Sequence, residues 1–109
     1  MKTVVRINDR ELTTMFQSYV ERRVRFALGR FAGRVGEITV RVSGSRRQDY
    51  RCRINAEVLP FGQVSAEEIG PDLYVAMDRA AGRIGRSFGR ALERTHDARI
   101  LRDSIREAA

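Results

Sequence analysis

Apolar residues recur along this 109-residue chain with two different periods, and the switches between them mark out the elements. Residues 3–8 read as a first strand, with Val5 and Ile7 on one side and Val4 and Arg6 on the other. Residues 8–11 make a polar turn. From Thr14 the repeat becomes helical: Phe16, Tyr19, Val20, Val24, Ala27, Leu28 and Phe31 share one face at about 100° per residue. Gln17, three residues after Thr14, completes a capping-box pattern, and glycines between positions 33 and 36 end the helix. Phe26 is out of phase and falls near the exposed side.

Residues 37–43 and 50–58 then alternate strictly. Ile38, Val40 and Val42 oppose Glu37, Thr39 and Arg41; Tyr50, Cys52, Ile54, Ala56 and Val58 oppose Arg51, Arg53, Asn55 and Glu57. Each strand therefore has one core face and one wet face. Residues 43–49 form a hairpin loop, Pro60-Phe61-Gly62 the next turn, and Val64 and Ala66 a shorter strand ending near Glu67. A second helix starts at Gly70-Pro71-Asp72, with Pro71 at the first helical position and Asp72 favouring the positive dipole end. Leu73, Met77, Ala80, Ala81, Ile84, Phe88 and Leu92 form its apolar face. The order β-α-β-β-β-α predicts an α+β two-layer sandwich, a four-stranded sheet with two helices on one face. That domain spans residues 1–94. Residues 95–109 form a C-terminal tail that either continues the second helix or makes a separate amphipathic turn through Ile100, Leu101 and Ile105.

The polar side of the second helix is unusual. Arg79, Arg83, Arg86, Arg90 and Arg94 are spaced four, three, four and four apart, so a helix points them the same way. A solvated face normally mixes its signs, whereas Asp78 and Glu93 project to one flank and leave this stripe unneutralised. Forked, permanently charged guanidinium groups in a row suit a polyphosphate backbone. On the first helix Arg22 and Arg25 point away from the apolar face, while Arg23, Arg30 and Arg34 lie along one edge.

Charge strengthens this reading. The net charge is +7, and Lys2 is the only lysine among 21 basic residues, the rest being arginine. The excess is localised: residues 13–35 carry +4 and residues 71–94 carry +2, while residues 36–70 and the tail sum to zero. Two helices on one side of a sheet would thus present one basic surface. A single cysteine excludes an internal disulfide, and neither a membrane-length apolar run nor a signal-peptide core is present, so a cytoplasmic location is expected.

Catalytic chemistry finds no footing. His96 is the only histidine, Cys52 points inward by strand alternation, and Glu67 and Glu68 are adjacent and so face opposite ways. Metal-ligand spacing and a glycine-lysine phosphate loop are both missing. No cofactor, metal, membrane or small-molecule substrate is expected, and an enzyme is disfavoured. Gly82, Gly85 and Gly89 recur on a flank of the second helix, each costing about 1 kcal/mol relative to alanine. Close packing against the first helix is the favoured reason, and close approach of an RNA backbone the rival one.

Asp72-Leu73-Tyr74-Val75-Ala76-Met77-Asp78, followed by the arginine stripe, resembles the second helix of the ribosome hibernation-promoting factor family, which includes the ribosome-associated inhibitor. The resemblance runs from about residue 3 to residue 94 and takes in Leu12-Thr13, the Tyr19-Val20 pair and the strand order. It implies a fold akin to double-stranded-RNA-binding domains. It also implies binding of the small ribosomal subunit and its ribosomal RNA, in the channel used by messenger and transfer RNA, so that idle ribosomes are silenced. The family's basic positions correspond to Arg83, Arg86, Arg90 and Arg94 on the second helix and Arg23 on the first. Phe26 stands at a family lysine position, with Arg25 beside it. Gly82, Gly85, Ser87 and Gly89 stand where the family has larger polar residues. The resemblance is to the short family form, so a dimerising second domain is not expected.

The expected RNA-binding set is Arg22, Arg23, Arg25, Arg30, Arg79, Arg83, Arg86, Arg90 and Arg94. Two rivals stand beside ribosome hibernation: a general double-stranded-RNA module, and a regulator docking an acidic protein partner through the same arginines.

Overall fold

In a computed structural model the chain forms β1 (Lys2–Ile7), α1 (Thr14–Leu28), a 3-10 segment (Gly29–Arg34), β2 (Val35–Ser45), β3 (Gln48–Val58), β4 (Gln63–Gly70) and α2 (Leu73–Ala108). The structure describes residues 2–7, 14–45 and 47–108, with side chains in α2 as far as Arg94 and in β1 at Lys2 and Val4. The polar turn expected at residues 8–11 lies outside the described residues, as do the side chains of Val5, Arg6, Ile7 and His96.

The sheet order is β1-β2-β3-β4. Strands β2, β3 and β4 pair antiparallel through short turns, and β1 joins β2 in parallel. A parallel pair needs a crossover connection, and α1 supplies it. Alternation then decides the layers. Ile38, Val40, Val42, Cys52, Ile54, Ala56, Val58 and Ala66 are buried on one side of the sheet. Phe16, Val20, Val24 and Leu28 of α1 and Ala76, Met77, Ala80, Ala81, Ile84 and Phe88 of α2 close over them. Both helices therefore cover the same face, and the other face of the sheet is open to solvent.

Several boundaries differ from the sequence reading. The first helix, expected to end at the glycines between 33 and 36, gives way after Leu28 to the 3-10 segment Gly29–Arg34. The hairpin loop expected over residues 43–49 shrinks, because β2 and β3 pair as far as Ser45 with Gln48. A register irregularity between Ser43 and Ser45 makes room for this, and Gly44 sits there at φ +132° with no space for a Cβ against the Tyr50 backbone. Pro71 is outside α2 rather than at its first position. Asp72 is the cap, its Oδ1 accepting the Val75 N–H at 2.9 Å. The last strand runs on to Gly70, past Glu67.

Finally, α2 does not stop at Arg94. It is one helix of 36 residues, about 54 Å long at 1.5 Å per residue, so the tail continues it. This helix accounts for most of the 61 Å long axis of the molecule.

Candidate nucleic-acid interface

Contacts along α1 and α2 show the two helices running side by side in the same direction. Phe16 and Tyr19 meet Tyr74 with ring centroids 5.3 and 4.9 Å apart, and Phe31, just beyond α1, stacks on Phe88 at 5.3 Å. Between these aromatic ends the helices meet at their smallest residues. A Cβ added at Gly85 would lie 3.1 Å from the carbonyl oxygen of Ala27. Gly85 is buried, so packing against α1 accounts for it. Gly82 has no such neighbour: its added Cβ would meet only the Arg86 guanidinium, at 3.5 Å. Gly89 would press on the Phe31 ring at 3.4 Å.

Close approach at Gly85 leaves a groove above the contact line. Its floor is Ala27, Ala81, Gly82 and Gly85, its rim Arg23, Phe26, Arg30 and Arg86, and its volume about 390 Å³. A second hollow continues it along α2, about 300 Å³ between Arg30, Arg86, Gly89, Arg90 and Glu93. The two basic rows thus meet across a shared trough, through Arg23 and Arg30 on one wall and Arg86 and Arg90 on the other.

The nine expected residues divide into three groups. Arg22, Arg25 and Arg94 are exposed on the helix surfaces. Arg30, Arg86 and Arg90 line the groove, and Arg30 packs its guanidinium 4.5 Å from the Phe31 ring centroid. Among the described residues these six form no ion pair. The remaining three are engaged within the fold. Arg79 Nη1 donates to the Ile69 carbonyl at 2.8 Å. Arg83 Nη1 reaches the Glu67 carbonyl and Glu68 Oε1, both at 3.2 Å. Arg23 Nε lies 2.9 Å from Asp78 Oδ1, an ion pair without hydrogen-bond alignment.

The stripe of α2 is therefore split, with Arg79 and Arg83 folded onto β4 and Arg86 and Arg90 turned toward α1. Asp78 also differs from the sequence reading. Instead of standing idle on a flank it ties the helices together, taking Arg23 and the Tyr19 hydroxyl at the same oxygen. Burial, with the Asp78 hydrogen bond second, raises the Tyr19 pKa above its ordinary value.

One feature was visible in the sequence without its meaning being clear. Phe26 is 82% exposed and stands on the groove rim, with the Arg23 guanidinium 5.7 Å from its ring centroid. An apolar residue out of phase among arginines was the signal. An exposed aromatic beside basic groups offers a flat surface on which a base can stack.

Cys52 faces the core, as strand alternation predicts. It is fully buried, its Sγ lies 3.6 Å from Met77 Sδ, and burial pushes its thiol up to about 12. Among the described residues no group of histidine, cysteine or carboxylate side chains is placed to hold a metal, and no helix is long and apolar enough to cross a membrane.

Comparison with known proteins places these features in a context. The sequence pattern of the family described as sigma 54 modulation protein / S30EA ribosomal protein matches residues 3–96. The crystal structure of the N-terminal domain of Thermus thermophilus protein Y is similar at a TM-score of 0.65 and 28% identity, over 79% of this chain and 93% of that one. A ribosomal subunit interface protein from Coxiella burnetii shares the fold at a TM-score of 0.73 and 10% identity, over 85% of this chain and 99% of that one. No curated protein matches the chain.

Proposed function

The chain belongs to the sigma 54 modulation protein / S30EA ribosomal protein family, and on that premise we propose that it is a ribosome hibernation factor. It binds the small subunit through folded ribosomal RNA in the channel used by messenger and transfer RNA, and silences translation by occupying that space. No reaction is catalysed, no cofactor is used, and the site of action is the cytoplasm, where ribosomes are.

The observation that carries this reading is the groove in which Arg30, Arg86 and Arg90 converge from neighbouring elements and outnumber Glu93, the one carboxylate lining it among the described residues, with which they form no ion pair. A planar fork with several donors holds phosphate oxygens in pairs, and guanidinium groups on both walls of a trough follow a backbone rather than a single anion. Recognition of this kind reads shape, not sequence, as in double-stranded-RNA-binding domains. Arg22, Arg25 and Arg94 extend the surface on either side. Arg23, Arg79 and Arg83 contribute to the extent that phosphate competes with Asp78, Glu68 and the β4 carbonyls.

Sedimentation with purified small subunits over a salt series tests the proposal. With about six phosphates neutralised, log K falls against log salt with a slope of roughly −4 to −5. A flat salt response defeats it. Two rival partners are separated by the same material. A short RNA duplex that competes as well as subunits do favours a general double-stranded-RNA module. Recovery with an acidic protein after nuclease treatment favours a protein-docking regulator, a reading the family's description as sigma 54 modulation keeps in view.

A further inference from the structure

The open face of the sheet has its own charge pattern, which the helix groove does not explain. Arg41 on β2 and Arg53 on β3 are direct cross-strand partners, both exposed and both on the side away from the helices. Side chains opposite each other in an antiparallel pair stand about 5 Å apart at Cβ, where like charges are destabilising. A wet sheet face ordinarily relieves such a pair with a carboxylate, and one is within reach. The Glu67 backbone is the β4 partner of Arg53. Yet its carboxylate is turned to Arg51, with Nε 3.1 Å from Oε1. Glu57, the next acid on this face, folds back toward the Glu37 N–H at 3.4 Å. Among the described residues Arg41 and Arg53 have no acidic partner, and the register of β1 sets Arg6 opposite Arg41 at the level of the backbone.

Beside this pair runs a row of neutral donors. Thr39, Asn55 and Ser65 are partners across β2, β3 and β4. Ser65 Oγ donates to Asn55 Oδ1 at 2.9 Å, and among the described residues the amide nitrogen has no acceptor. With Gln63, these residues and the two arginines enclose an open hollow of about 340 Å³. Two unopposed guanidinium groups next to hydroxyl and amide donors make a surface complementary to the non-bridging oxygens and sugar hydroxyls of an RNA backbone.

We propose that this sheet face is a second phosphate-binding surface, so that the domain is held between two RNA segments, one along the helix groove and one across Arg41 and Arg53. The choice of RNA as the phosphate carrier rests on the function proposed above; the unpartnered arginine pair does not. Bound phosphate between the two guanidinium groups would screen the repulsion that the free fold carries.

The inference is tested with the full chain in three forms: wild type, R41Q/R53Q, and R86E/R90E. Each is sedimented with small subunits over a salt series and melted in the absence of RNA. For R41Q/R53Q we expect binding roughly tenfold weaker at low salt and a salt slope shallower by about 1.4 to 1.8, two phosphate contacts' worth. Its melting temperature should be equal to wild type or higher, because a like-charge pair has been removed. Unchanged affinity and slope overturn the inference, and so does a loss of binding that comes with a lowered melting temperature. If R41Q/R53Q binds normally while R86E/R90E does not, the sheet face fails and the helix groove stands. If R86E/R90E binds normally while R41Q/R53Q does not, the helix-groove reading fails and the sheet face stands.

Discussion

Arg79 and Arg83 occupy the same helical row as Arg86 and Arg90, at the same spacing and with similar exposure, but their surroundings differ. The first pair sits where α2 passes the end of β4, and its guanidinium groups go to the Ile69 and Glu67 carbonyls and to Glu68. The second pair sits where α2 meets the small residues of α1, and it borders an open groove. Helical phase set the direction of all four side chains. What each is available to do was set by the element lying beside it.

This comparison is most exposed to charge reversal. Arg86→Glu with Arg90→Glu should weaken sedimentation with small subunits by roughly 100-fold or more while the circular dichroism spectrum and melting temperature hold. Arg79→Glu with Arg83→Glu should do the opposite. Binding should fall by less than about tenfold, and stability should drop by roughly 1 kcal/mol as a carboxylate at position 83 comes to face Glu68. Equal losses of binding in the two variants would show that the whole row acts alike.

The glycines sharpen the same contrast through stability. Gly85→Ala gains about 1 kcal/mol in helix propensity, but drives a Cβ to 3.1 Å from the Ala27 backbone carbonyl, which can give way only if the two packed helices shift. Overpacking of this kind costs about 1–3 kcal/mol, so thermal melting should show a net loss. Gly82→Ala meets only the end of a flexible arginine and should stabilise by roughly 0.5–1 kcal/mol. A stabilised Gly82→Ala protein that binds subunits less well would mean that RNA approaches the helix there.

The smallest effect concerns Asp78. Asp78→Asn removes the partner of Arg23 and weakens the tie to Tyr19. Both partners are partly solvent-exposed, so the loss on chemical denaturation should be about 1 kcal/mol or less. Affinity for subunits should rise a few-fold, because Arg23 returns to the groove wall. A fall in affinity would mean that Asp78 positions the wall rather than neutralising it.

Much of this protein can be read from one dimension. Strict alternation in β2 and β3, and the switch to a helical period on either side, fixed the order of elements and the buried face of each. These signals are local, since period two and period 3.6 follow from backbone geometry alone. Boundaries were less legible. Residues 43–49 are rich in turn formers, yet most of them lie in β2 or β3, because the register of two long strands outweighs local preference. At the start of α2, Pro71 was suited to the first helical position, but the Asp72 side chain took the cap.

The arginines divide the same way. Sequence by itself determined how many there are, on which helices they lie and that they form rows, since spacing along a helix settles direction. Only the tertiary structure decided which of them bind the protein's own carbonyls and carboxylates, and which stand around a groove or across a sheet without a partner. That choice depends on distances between segments far apart in the chain, such as Arg83 to Glu68 or Arg41 to Arg53, and no local period encodes them.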